Sequence, residues 1–211
     1  MNKGKFITFE GGEGAGKTTQ IKLLQQKLEN HGVQILVTRE PGGTPSAEKL
    51  RDLVVKGDLD DWSAMAELLI ITAGRYEHVQ NLILPALEKG VWVISDRFYD
   101  SSAVYQGIAG GLGLEKVRRI QQEVLGNFAP DLTLVFDLPP AVGLARAGKR
   151  EADTASGEDR FERKGSQFHE NLRQGYLQIA EAESRCTALD ATQSIDQIQQ
   201  VIWSKVETLL P

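Results

Sequence analysis

The stretch Gly11-Gly12-Glu13-Gly14-Ala15-Gly16-Lys17-Thr18 fits the pattern G-x-x-x-x-G-K-[ST] and constrains this chain more than any other. An apolar, β-prone run, Phe6-Ile7-Thr8-Phe9, precedes it, and a helical pattern with Ile21, Leu24 and Leu28 on one face follows. Strand, glycine-rich loop and helix in that order form a phosphate cradle. The glycines let backbone N–H groups point inward, and the helix N-terminus adds partial positive charge. Lys17 adds a full charge, and the Thr18 hydroxyl can ligate Mg²⁺. The stretch points to a nucleoside triphosphate site.

Further apolar runs lie at 33–37, 91–94, 132–136 and, weakly, 187–190. Amphipathic helical patterns separate them, including 65–87, with Pro85 as a kink or fresh start, and 114–125. Thr44 before Pro45 reads as an N-cap, and Ser194-x-x-Gln197 as a capping box opening the last helix. The glycine-rich segment 107–113 reads as a loop, and a short helix is expected from Ala141 to about Lys149. This alternation predicts an α/β fold: a parallel sheet of about five strands covered by helices on both faces. With no linker and 211 residues, the chain reads as one domain, 1–211.

A net charge of −5 gives no sign of a nucleic-acid-binding surface. One cysteine, Cys186, precludes an intrachain disulfide and agrees with a reducing, cytoplasmic setting. Met1-Asn2-Lys3-Gly4-Lys5 leads straight into the first strand, leaving no room for a signal peptide, and no apolar run nears the ~20 residues that span a bilayer. His31, His78 and His169 show no ligand spacing, so no zinc site is expected.

Ligands of such sheets bind at the carboxyl ends of the strands, which gathers several charged groups. Asp96 ends an apolar strand, where a carboxylate could hold Mg²⁺ opposite Thr18 or merely cap the next turn. Arg39 and Arg97 each follow a strand end and could clamp the phosphate of a second substrate, or form surface ion pairs. Residues 150–159 hold no apolar residue larger than alanine and read as a mobile loop, part of a lid at about 146–160. Its cations Arg146, Lys149, Arg150 and Arg160 could close over the triphosphate, although Glu151, Asp153, Glu158 and Asp159 are interspersed. The phosphate loop carries no arginine, so a cation for the transition state has to come from elsewhere.

Together the motifs resemble the bacterial thymidylate kinases of the P-loop nucleoside monophosphate kinase group, over nearly the whole chain. The resemblance rests on Phe9-Glu10-Gly11 through Thr18-Thr19, Thr38-Arg39-Glu40-Pro41-Gly42-Gly43-Thr44, Ala73-Gly74-Arg75, Asp96-Arg97-Phe98, Tyr105-Gln106 and Pro130-Asp131-Leu132-Thr133. It implies a P-loop NTPase fold, Mg²⁺ with ATP, and transfer of the γ-phosphoryl group to dTMP. It implies ATP binding by residues 11–19, with Lys17, Arg97 and Arg150 catalytic. Arg39 and Arg97 then hold the dTMP phosphate, Arg75 donates to thymine O4, and Pro41, Ser102 and Gln106 lie around the acceptor nucleotide. Tyr105 would crowd the 2′ position, Glu13 would approach the 3′-OH, and the chain would form a homodimer. Two departures stand out: Ile71 replaces the phenylalanine that stacks on thymine in many members, and the lid is long for its type. The competing readings are another nucleotide or deoxynucleoside kinase, and a nucleotide switch; the N/T-K-x-D guanine motif of GTPase switches is missing.

Overall fold

The computed structural model describes residues 3–56, 58–154 and 160–210, with backbone only over 150–154. Five strands, β1 (Phe6–Gly11), β2 (Ile35–Arg39), β3 (Trp92–Asp96), β4 (Leu132–Asp137) and β5 (Cys186–Asp190), form one all-parallel sheet in the order β2-β3-β1-β4-β5. This is the expected sheet, and its P-loop NTPase topology puts the phosphate strand β1 in the centre.

Both faces are covered, as the continuous apolar strands require. On one side Ile7, Phe9, Leu134 and Phe136 pack with Ile21, Leu24 and Leu28 of α1 (Lys17–Asn30) and Ile198, Ile202 and Val206 of the C-terminal helix. Side chains alternate along a strand, so Val135 turns the other way. It joins Leu68 of α3 (Ala64–His78) and Leu172, Tyr176 and Ile179 of a long helix over 166–182.

The predicted caps form. The Thr44 side chain accepts from Ala47 N at the start of α2 (Pro45–Val55), and Ser194 and Gln197 satisfy each other's backbone N–H groups. Pro85 stands in the first turn of a fresh α-helical segment, as one of the two readings had it. A π-helical turn, Val79–Ile83, runs between α3 and α4 (Leu84–Glu88). Proline cannot donate to the carbonyl four residues back, and the wider turn absorbs that misfit.

Three expectations need correction. The 107–113 loop is shorter than read, because α5 (Tyr99–Ser102) continues as a π-helix over Ala103–Ala109, with Gly107 buried within it. Leu69, an apolar position within the amphipathic pattern 65–87, lies off the core face of α3 and is 54% exposed. Past α6 (Leu114–Leu125), the helix expected to stop near Lys149 is α7 (Pro140–Thr154) and runs on through Lys149-Arg150-Glu151-Ala152, all good helix formers. The lid therefore starts as helix. Residues 155–159 of the expected lid lie outside the described residues. The long α8 (Ser166–Ala182) and α9 (Ile195–Val206) complete the layers.

Candidate active site

Strand register assembles the site. Asp96 pairs with Phe9 on one side and Arg39 on the other, and Gly11 pairs with Phe136, so the carboxyl ends of β1 to β4 share one rim. At its centre the phosphate loop turns into α1, whose first turn contains no acidic residue to compete for its free N–H groups. Gly14, at φ 65°, meets α7 closely: a Cβ on it would sit 2.1 Å from Gly143 O, and one on Gly143 would sit 2.2 Å from Glu13 O. Two facing glycines thus seat the root of α7 directly on the loop.

Lys17 is buried, and its Nζ donates to Gly11 O (3.3 Å) and Gly12 O (3.1 Å), with Asp96 Oδ1 at 4.0 Å. Burial, then the nearby Arg97 guanidinium, push its ammonium below the ordinary lysine range, while Asp96, Glu13 and Glu10 pull it back. Asp96 is the last residue of β3, and α5 begins three residues later with Phe98 at its N-cap position. The capping role for Asp96 therefore falls away.

Arg97 has φ 71°, the one positive value at a non-glycine among the described residues. Its backbone is pinned there by Arg97 N donating to Phe9 O (2.9 Å) and by Ser95 Oγ donating to Arg97 O (2.7 Å). Backbone held in a sparse region marks sites where placement matters more than relaxation. The guanidinium donates to Glu13 Oε1 (2.6 Å), Gly11 O (2.8 Å) and Tyr176 Oη (2.9 Å). The Tyr105 hydroxyl, whose pKa burial pushes up, stays protonated and donates to the same Glu13 oxygen (3.1 Å).

Behind Arg97 lies Glu10, fully buried, which accepts from Phe98 N (2.8 Å) and Ser101 Oγ (2.6 Å). Burial, then the charge of Asp100, push its carboxyl up to about 7. The folded protein thus holds a proton that the unfolded chain releases near its ordinary value. Glu10 favours folding below pH 4.5, and that contribution drains away as pH rises through 7. In denaturant titrations Glu10→Gln should lose about 2 kcal/mol less stability than wild type between pH 5 and pH 8. Parallel pH profiles for the two proteins would refute this.

The far end of the site is a second polar cluster. Arg75 is 2% exposed; its Nε donates to Glu40 Oε2 (2.6 Å) and its Nη2 to Ser102 Oγ (3.1 Å), leaving buried Nη1 without a partner. Glu40 Oε1 also faces His78 Nδ1 (3.0 Å), and His78 Nε2 faces Thr38 Oγ1 (2.7 Å). A carboxylate only accepts, so His78 Nδ1 carries a proton and donates to Glu40, while Nε2 and the Thr38 hydroxyl share the second bond. Thr38, His78 and Glu40 thereby fix the Arg75 plane.

One cavity of about 560 Å³ is lined by residues of both clusters: Glu13 through Thr19, Arg39, Pro41, Arg75, Asp96, Arg97, Ser102, Tyr105 and Gln106. The sequence-predicted site residues with described side chains line it, save Gly11 and Gly12, whose carbonyls instead hold Lys17, and the lid candidates Lys149 and Arg160. Arg39 sits at the mouth, 55% exposed and paired with Glu48 (3.1 Å). Ile71 lines the cavity, and Phe161 adds an aromatic wall, with its ring edge-on to Tyr105 at 5.4 Å.

Of the lid cations, Arg146 reaches the loop, with Nη1 3.5 Å from Gly14 O. The Arg150 side chain lies outside the described residues. Arg160 is a correction. It is fully buried, pairs with Glu67 (2.7 Å) and donates to three backbone carbonyls, Asp58 O, Val54 O and Leu59 O. Its charge is already used, so it leaves the list of cations for triphosphate. Sequence reasoning gave no role to Glu10, Glu40 or His78. A charge at or just past the end of an apolar strand was the signal available for the first two.

Comparison with known proteins agrees with this arrangement. The family model described as thymidylate kinase matches residues 9–202. Proteins named thymidylate kinase are similar to the chain throughout: from Bradyrhizobium sp. (strain ORS 278), 46% identical over 99% of this chain and 92% of its own length; from Magnetococcus marinus, 47% over 97% and 96%; and from Caulobacter vibrioides, 46% over 96% and 95%. A phosphate loop and a buried arginine pocket on one cavity, carried on a chain that matches from end to end, place this protein in the thymidylate kinase family.

Proposed function

We propose that the chain transfers the γ-phosphoryl group of ATP to dTMP, giving dTDP and ADP for dTTP synthesis, with both substrates in this one cavity. The observation that carries the reading is the continuity of the cavity, lined at once by the phosphate loop and by the Arg75 cluster. An acceptor phosphate oxygen forms a bond to the γ-phosphorus as the bond to the β,γ-bridging oxygen breaks. Such a transfer needs position and charge compensation, with no covalent protein intermediate.

In this reading residues 11–19 bind ATP. Lys17 exchanges its two loop carbonyls for phosphate oxygens, and Arg97 turns from Glu13 to the phosphate being attacked. Arg39, freed from Glu48, joins Arg97 on the dTMP phosphate. The unpartnered Nη1 of Arg75 supplies the donor for thymine O4. Ile71 and Phe161, with Pro41, supply the apolar wall that a stacking phenylalanine gives elsewhere in the family. Ser102 and Gln106 take the base edge, Tyr105 excludes a 2′-OH, and Glu13 meets the 3′-OH.

Mg²⁺ is the proposed cofactor with ATP. The Thr18 hydroxyl and the Asp96 carboxylate are hard oxygen donors on the same cavity wall and suit that ion. When bound it neutralises phosphate charge, and loss of turnover on chelation checks the requirement. Lys17, Arg97 and Arg150 are the proposed catalytic cations, in a single P-loop kinase domain, 1–211, with a lid at about 146–160.

A homodimer fits the exposed apolar side chains Leu53 of α2 and Leu69 and Tyr76 of α3, the last two seven residues apart on one helix. A sedimentation mass near twice 23.2 kDa checks it. The cytoplasm is the proposed location, where a lone buried Cys186 stays reduced; cell fractionation tests it. Among the described residues no helix is long and apolar enough to cross a membrane, and neither a membrane nor a nucleic-acid partner is proposed.

The deciding experiment measures ADP release with dTMP, dUMP, dCMP or thymidine as acceptor. We expect dTMP to be strongly preferred and thymidine to be inert. Equal turnover with all four acceptors, or none above the acceptor-free rate, overturns the reading.

A further inference from the structure

Gln106 lines the cavity on the π-helical segment, yet its own hydrogen bond goes to a residue outside the cavity lining. Its Nε2 donates to Glu67 Oε2 (3.1 Å), and its Oε1 is buried without a partner. Glu67 does not line the cavity; its Oε1 is paired with Arg160 Nη2 (2.7 Å), and both side chains are buried. Arg160 is held in turn by the carbonyls of Val54 at the end of α2 and of Asp58 and Leu59 beyond it. The chain of contacts therefore runs from the C-terminal root of the lid to the base end of the cavity.

The chemistry of the chain is directional. An ionised carboxylate accepts and never donates, so Glu67 dictates which end of the Gln106 amide faces it. The NH₂ turns to Glu67, and the carbonyl is left over as an acceptor. Arg160 donates to the other Glu67 oxygen at 2.7 Å, so both oxygens are engaged as acceptors and the carboxylate is held in place against Gln106. An acceptor at Gln106 beside the spare donor of Arg75 complements thymine, whose N3 carries hydrogen and whose O4 accepts. Cytosine presents the reverse pattern.

We propose that Glu67, held in place by Arg160, is a positioning residue that fixes the Gln106 carbonyl as an acceptor and so sets the preference for thymine over cytosine. The inference rests on the dTMP reading above. It makes Arg160 part of base selection rather than of phosphoryl transfer.

The test compares kcat/KM for dTMP and dCMP in wild type, Glu67→Gln, Gln106→Leu and the double variant. In Glu67→Gln the neutral amide that replaces the carboxylate can donate as well as accept, so the Gln106 amide loses its fixed sense. The dTMP-to-dCMP ratio should fall about tenfold or more in Glu67→Gln, with KM for dTMP raised and kcat little changed. Gln106→Leu should narrow the ratio as much, and the double variant no further, since both changes remove one contact. A merely structural Glu67 would lower the melting midpoint and leave the ratio at its wild-type value, which overturns the proposal. Wild type that ignores dTMP would instead overturn the reading beneath it. Should Glu67→Gln not fold, Arg160→Lys and Arg160→Gln carry the same comparison. The charged variant keeps the ratio and the neutral one narrows it, and equal ratios in the two refute the idea.

Discussion

Lys17→Met should lower kcat by about 10³-fold while leaving dTMP affinity within a few-fold of wild type. The expected loss is large because this ammonium is buried at the loop, where it donates to two backbone carbonyls and burial outweighs the pull of Asp96, Glu13 and Glu10. Such a cation is held for a ligand that brings more negative charge than its resting partners supply. Burial and Arg97 already strain the charged form, so an arriving phosphate gains most there. Methionine keeps the length and apolar stem of lysine and removes only the charge. The acceptor end depends on Arg75 and Arg97, which explains why calorimetric dTMP binding should persist. A kcat within tenfold of wild type would sink the assignment.

The sequence was most legible where one short stretch does one local job. The phosphate loop, the Thr44 cap and the Ser194–Gln197 box all form as read, because each is decided by neighbours within a few residues. The strand ends were legible too, since a parallel sheet obliges Arg39, Asp96 and Gly11 to share a rim. What escaped was long-range partnering. Glu40 binds Arg75 and His78, which lie 35 and 38 residues away, and Arg160 reaches back about a hundred residues to α2 and the segment after it. No local pattern encodes such contacts. For that reason Arg160, judged by its neighbours in sequence, looked like a lid cation and proved to be an anchor. A different error shortened α7, where the charge mixture from 150 on read as loop although Arg150-Glu151-Ala152 favour helix.

That longer helix carries the last expectation. Arg150→Ala should reduce kcat by about 10³-fold, the scale of a missing transition-state arginine, and change dTMP affinity little. The loop contains no arginine, and Arg160 is committed to Glu67 and backbone carbonyls, which leaves α7 as the part of the lid to test for a further cation beside Lys17 and Arg97. Facing glycines, Gly14 and Gly143, fix the root of α7 on the phosphate loop. Arg146 stands near that root, 3.5 Å from Gly14 O, where it can steady phosphates that stay with ADP. Its removal should mainly raise KM for ATP, by about tenfold. Arg150 comes one turn later on the same helix, four residues further along the chain. Steady-state kinetics on both alanine variants separate the two roles. If Arg146→Ala takes the large loss in kcat and Arg150→Ala turns over like wild type, the catalytic cation lies one turn nearer the loop, and the lid need not close as far to deliver it.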